Sequence, residues 1–385
     1  MHKVRRVLTI LAILGIILMG LAWPVIRAIR QRRLDRQLVA AVRSGDVVSA
    51  AALLDHGADP NARDVPASTG VRLQDIWKTL LRRRLTGDES RYSPALLLAV
   101  ELSDLRMARC LLEHGASPNV RDHAGATVLM DAIVDGSPDI ADLLIEHGAN
   151  IEALDRFRDT PLMWASYWAE DSVVKHLLAH HANVNARNAA NWTPLMFAAG
   201  SDPDVVISGR NIHQLSPAII GMAGSPPTPR ASDLAQTIRL LIAAGADINA
   251  KDAAGNTVLI RAYCLGNQQA ALLLIEAGAD VNQPIMTTYI ENPVFFTERG
   301  YYAVYSDAPR RPNGQPIQVG ADLNRNATLL MLAALCEDRG MVRTLLAHGA
   351  SLTRTDSRGK TALSYARGHP TILALLRQAP MPQQE

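Results

Sequence analysis

A glycine set between His or Ala and a following Ala returns along this chain at a fixed interval, and that interval constrains the fold more than any other feature. It stands at His56-Gly57-Ala58, His114-Gly115-Ala116, His147-Gly148-Ala149, Ala244-Gly245-Ala246, Ala277-Gly278-Ala279 and His348-Gly349-Ala350. Gly115 and Gly148 are 33 residues apart, 33 more lands on His181 in His180-His181-Ala182, and Gly245 and Gly278 repeat the step. A period of this size marks one supersecondary unit copied many times. On length alone, 385 residues could hold two or three globular domains. Stacked copies instead lengthen one array without starting a new core.

Residues 123 to 188 hold two uninterrupted copies. Each opens with a polar turn and a Thr, at 127 or 160, whose hydroxyl can cap a helix. Pro161 sits just inside the start, where a missing N–H costs nothing. Leu162, Met163, Ala165 and Ser166 follow at helical spacing, and Glu170-Asp171 or Asp135-Gly136 breaks the first helix. A second helix runs through Val173, Val174, Leu177 and Leu178. Gly then closes it in the left-handed conformation in most copies, with His181 taking that place in one. The remaining polar segment is too short for a helix.

This helix–turn–helix–loop unit resembles the ankyrin repeat family. The resemblance rests on Thr160-Pro161-Leu162 and Thr193-Pro194-Leu195, on the paired leucines of the second helix, and on Gly-Ala-Asp-Ile-Asn-Ala-Lys-Asp at 245 to 252. Looser boxes stand at Thr127, Thr257, Thr328 and Thr361. About eight copies start near residues 34, 93, 123, 156, 189, 253, 325 and 357. The family usually has His after Thr-Pro-Leu; here Met130, Met163, Met196 and Met331 occupy that place, which reads as apolar packing between copies. The expected fold is an all-α solenoid over residues 34–379, with a polar tail at 380–385.

Three insertions interrupt the period. They amount to about 25 residues near 65–92, about 31 near 202–232 and about 38 near 285–323. The family's layout puts the first and third in loops between copies, and the second between two helices of one copy. The first carries Leu73, Ile76, Trp77, Leu80 and Leu81 at the spacing of one helix face, then Arg82-Arg83-Arg84; the second, rich in Gly and Pro, reads as a loop. The third concentrates Tyr289, Phe295, Phe296, Tyr301, Tyr302 and Tyr305. Two β-prone runs, Pro293 to Thr297 and Tyr301 to Tyr305, suggest a small hairpin there. Its aromatics either pack the insertion or serve as interface anchors.

Residues 7–26 form an apolar run without a charge, long enough to span a bilayer core of about 30 Å. Lys3, Arg5 and Arg6 precede it, and Arg27, Arg30, Arg32, Arg33 and Arg36 follow. A single-pass anchor within residues 1–33 is the expectation. A cleaved signal peptide fits less well, because the apolar run continues past the small residues Gly20-Leu21-Ala22. The basic C-terminal flank leans the repeats towards the cytoplasm, with the extracytoplasmic side left open. The arginines can also meet anionic headgroups.

Formal net charge is +2, which gives no sign of a bulk nucleic-acid binder. The three cysteines, Cys110, Cys264 and Cys336, offer neither a disulfide framework nor a zinc spacing. His56, His114, His147 and His348 fall once per copy at a helix end, where they suit carbonyl capping. No phosphate loop or nucleophile elbow appears. The expectation is thus a non-catalytic scaffold with no cofactor or metal, tethered to a membrane and binding a protein through a concave face lined by the first helices and the loop tips. Residues expected to be exposed on the first helices are Asp131, Trp164, Tyr167, Phe197 and Arg261, with Phe295, Phe296, Tyr301 and Tyr302 in the third insertion. The alternative is an envelope structural or regulatory protein whose insertions bind a cell-wall, lipid or small-molecule ligand.

Overall fold

The structure, a computed structural model, describes residues 23, 26–64, 93–122, 125–200, 231–286, 294–297, 300–303 and 322–379. Among them, eight antiparallel helix pairs follow one another: α1 (26–44) with α2 (Val47–Asp55), α3 (Ala95–Glu101) with α4 (Leu105–Glu113), α5 (Val128–Val134) with α6 (Pro138–Glu146), and α7 (Pro161–Trp168) with α8 (Asp171–Ala179). The series continues with α9 (Pro194–Gly200) and α10 (Ala231–Ala243), α11 (Val258–Cys264) and α12 (Gln268–Glu276), α13 (Leu329–Leu335) and α14 (Arg339–Ala347), and α15 (Ala362–Tyr365) and α16 (Pro370–Gln378). The chain divides into two compact units, Met1–His123 with Glu146–Ala149, and Ala124–Ile145 with Asn150–Glu385.

Helices this short are marginal alone, since isolated helices need about 12–15 residues. Their caps and packing hold them. Thr127, Thr160, Thr193 and Thr257 each accept the amide three residues on at 3.3–3.4 Å. The methionines do more than fill space. Met130, Met163 and Met331 are buried, and each sulfur accepts the capping Thr amide at 3.4–3.5 Å. They thereby return the bond that a polar side chain gives in a capping box. Three of the expected histidines cap: Nδ1 of His56, His114 and His348 lies 2.6, 2.7 and 2.9 Å from the carbonyl oxygen four residues back.

Successive copies are tied loop to loop. In the second unit Glu152 accepts the Asn183 amide and Asn249 the Asp280 amide, both across 31 residues. Asn185 takes the equivalent Asp247 amide across 62, and Asn282 takes Ser351 across 69; in the first unit Asn61 takes Ser117 across 56. The last three separations exceed 31 by 31, 38 and 25, the inserted lengths read from the glycine spacing. The insertions therefore leave the register intact. The first and third are closed at their bases by Ala95 N to Ala62 O and Ile285 N to Ala327 O, both 2.8 Å. The second lies between α9 and α10, within one copy.

The all-α description holds for the repeats and not for the third insertion, where β1 (Val294–Thr297) pairs antiparallel with β2 (Gly300–Ala303). The expected hairpin is there, with Gly300 in a strand rather than in the turn. The helical expectation for residues 65–92 and most of the run 7–26 lie outside the described residues. No helix among the described residues is long and apolar enough to cross a membrane.

His181 sits at φ 64°, where its sister glycines sit at 82–91°. The left-handed region costs an L-residue about 1–2 kcal/mol. His181→Gly should therefore stabilise the chain by roughly 1 kcal/mol, read as a higher urea midpoint; an unchanged or lower midpoint would show no strain at this position.

Candidate functional site

Asp131, Trp164, Phe197 and Arg261 occupy one position, four residues after the capping Thr of their copy, and Tyr167 lies one turn beyond Trp164. The expectation that they are exposed is corrected by the structure. Asp131 is 7% exposed, Trp164 0%, and Tyr167, Phe197 and Arg261 1% each. Trp168 is also buried, and meets Tyr167 edge to face with ring centres 5.2 Å apart.

The reason lies nine residues upstream, in the loop of the same copy. Trp164 Nε1 donates to Asp155 Oδ2 at 3.3 Å, Arg261 to Asp252 Oδ2 at 3.1 Å, and Tyr365, at the same position in the last copy, to Asp356 Oδ2 at 2.7 Å. The other carboxylate oxygen folds the loop. Asp155, Asp252 and Asp356 each accept the amide four residues on, from Asp159, Asn256 and Lys360, at 2.8–2.9 Å, and Asn188 does the same for Trp192. Each of the four also sends its own amide back to the carbonyl of that residue. Neighbouring tips join through Ala189 N to Phe157 O, Ala253 N to Ala190 O and Ser357 N to Arg325 O. Arg261 stacks its guanidinium 4.3 Å over the Trp192 ring, whose edge meets Phe197. In three copies the position four after Thr is thus a tie between loop and helix, made by Trp164, Arg261 or Tyr365, while Phe197 fills it with apolar packing.

That closure takes three carboxylates off the loop edge of the second unit, where Glu152 and Asp247 stay exposed. Asp159, Asp252 and Asp356 are 2%, 7% and 5% exposed. Arg156, Arg158, Lys251, Arg325, Arg354, Arg358 and Lys360 are exposed on the same loops. For Asp356, burial alone would raise the carboxyl, but hydrogen bonds from Tyr365, Asn324 and the Lys360 and Arg358 amides outweigh it and hold it at about 2. Asp159 goes the other way. Burial first, then the charge of Asp155, pushes it up to about 7 against a bond from Asn188.

The aromatic candidates of the third insertion are brought together in strand register, Phe295 opposite Tyr302 and Phe296 opposite Tyr301. Tyr289 and Tyr305 lie outside the described residues. One constellation in the first unit has the residue types of a nucleophilic triad. Cys110 Sγ lies 4.0 Å from His114 Nδ1, and His114 Nε2 lies 3.4 Å from Asp55. It is not set for that chemistry: His114 Nδ1 is spent on the Cys110 carbonyl, and burial with the nearby Glu113 and Asp55 carboxylates pushes the thiol up. Among the described residues, no group of three or more His, Cys, Asp and Glu is placed to hold a metal.

The stacked helix pairs and closed loops agree with the comparison with known families. A model of the ankyrin repeat matches residues 38–65 and 158–189, one of ankyrin repeats in three copies matches 72–155, and one of ankyrin repeats in many copies matches 317–366. The chain belongs to the ankyrin repeat family. No curated protein matches it. Ankyrin repeats are in general protein-interaction modules without catalytic machinery, and this array departs from the usual box in its methionine caps.

Two outcomes follow. Asp252→Ala leaves Arg261 buried without its counter-charge and should cost about 3–5 kcal/mol in urea unfolding; a loss under 1 kcal/mol would mean the pair is not closed. Asp159 holds its proton more tightly folded than unfolded, so its contribution is full below about pH 4 and fades as pH rises through 7. Wild type should gain stability relative to Asp159→Asn between pH 8 and pH 5; parallel pH profiles would contradict the assignment.

Proposed function

We propose that this chain is a non-catalytic scaffold, tethered to a membrane by residues 7–26, that captures an acidic protein partner on the loop edge of its second unit. The observation that carries this reading is the excess of exposed cations on the loops: Asp159, Asp252 and Asp356 are buried, and Arg156, Arg158, Lys251, Arg325, Arg354, Arg358 and Lys360 outnumber the exposed acids Glu152 and Asp247. Loop tips remain the contact surface, as expected from the sequence. The helix side chains Trp164, Tyr167, Phe197 and Arg261 act beneath it as supports.

Rigid loops lose little entropy on binding, so complementarity is preorganised. Fixed surface cations contribute to association rate and partner choice more than to raw affinity. The hairpin with Phe295, Phe296, Tyr301 and Tyr302 supplies apolar anchors beside this electrostatic recognition. The uncharged run 7–26 with its basic flanks supports the tether, and the denser C-terminal flank favours repeats on the cytoplasmic side.

The test is affinity isolation of a partner on the intact chain, followed by binding measurements with Arg156→Glu/Arg158→Glu/Arg358→Glu. The triple variant should bind at least tenfold more weakly while unfolding like wild type, and wild-type binding should weaken steeply with salt. Unchanged affinity and a flat salt response would overturn the loop-edge site. Replacing Trp164 or Tyr167 by Ala would report on folding, since both are buried.

A further inference from the structure

Helix α1 runs without a break from residue 26 to residue 44 and has two faces. Leu38, Val39, Ala41 and Val42 of one face are buried in the first copy. On the same side Gln31 donates to the Gly57 carbonyl at 3.0 Å, and Asp35 accepts the Asp59 amide at 2.9 Å. The opposite stripe carries Ile26, Ile29, Arg30, Arg33 and Arg36 at steps of three or four residues, with Arg27 beside Ile26, all exposed. Asp35 is the single acidic residue between 26 and 45, and it is engaged on the inner face.

The apolar part of the stripe is unusual for a surface. Eight large apolar side chains are exposed among the described residues, and three of them, Trp23 at 70%, Ile26 at 59% and Ile29 at 49%, fall within seven residues. The other five are scattered. A face that begins with Trp and Ile, continues with arginines and follows directly on a charge-free run suits one environment best: the boundary between hydrocarbon and anionic headgroups.

We infer that the stripe of Ile26, Ile29, Arg30 and Arg33, with Arg27 exposed at the helix start, rests in the headgroup layer of an anionic bilayer, holding the first copy at a set distance from it. This rests on the reading of residues 7–26 as the membrane anchor. Along the helix, Arg27 and Arg30 fall within about 6 Å of the end of the apolar run, the depth of a headgroup layer. Arg33 falls at about 10 Å, still within roughly one Debye length. Leu38, where the buried core of the copy begins, stands about 18 Å beyond Ile26 with no loop between them. The stripe is therefore both a lipid contact and a rigid stalk.

The test uses the full chain in vesicles of phosphatidylcholine in which about one lipid in three is phosphatidylglycerol, and counts the lipids retained in native mass spectrometry. Wild type should keep the anionic lipid over the neutral one by roughly tenfold or more, at about fivefold per arginine near the surface. Arg27→Gln/Arg30→Gln/Arg33→Gln should bring the ratio close to one, and the Lys triple variant should restore it. A wild-type ratio near one, or a Gln variant that keeps the preference, overturns the proposal. A carbonate wash separates the two readings: release with the preference retained removes the anchor and leaves the lipid-facing stripe standing. Resistance without preference leaves the anchor and removes the stripe.

Discussion

In the second unit four loops each close on one inward-turned Asp or Asn, and the array there depends on that closure. Oδ1 of Asp155, Asn188, Asp252 or Asp356 takes the amide four residues on, while the backbone of the same residue returns the bond to that carbonyl. Where the residue is Asp with a donor in reach, Oδ2 holds the helix that follows, through Trp164, Arg261 or Tyr365. Hydrogen bonds to a charged group are worth about 1.5–3 kcal/mol each, so two or three per loop outweigh the several tenths that an exposed helix pair contributes. The helices are too short to stand without this help.

Closure has a consequence for recognition. A carboxylate spent inside a turn contributes no negative potential outside it, whereas Arg156, Arg158, Lys251, Arg325, Arg354, Arg358 and Lys360 of the same loops stay exposed. Burial of Asp159, Asp252 and Asp356 thus leaves more exposed cations than exposed carboxylates on the edge, where Glu152 and Asp247 are the exposed acids. The same ties make the loop tips stiff, which suits a surface that must be complementary before the partner arrives.

Much of this was legible in the sequence. The 33-residue step gave the helix pairs, the glycine that should close each second helix, and the lengths of the three insertions, which the loop-to-loop bonds Asn61–Ser117, Asn185–Asp247 and Asn282–Ser351 reproduce. The burial of Trp164, Phe197 and Arg261 did not follow, because helical periodicity says which residues share a face but not that a loop folds across it. The nine-residue spacing from Asp155 to Trp164 and from Asp252 to Arg261 was the available signal. It could be interpreted only once the turn geometry placed the second oxygen above the helix. The methionine sulfurs were missed for a related reason: a thioether is a weak acceptor, and its apolar character dominates any reading by residue type.

The claim that these loops are closed by a single inward-turned side chain is tested most directly by native-state amide hydrogen exchange at Asp159, Trp192, Asn256 and Lys360. These four amides lie in loops outside every helix, yet each donates to the inward Oδ1. The account predicts protection comparable to the amides of the neighbouring helices, with opening only in larger cooperative units. Exchange at the rates of open loops would contradict it.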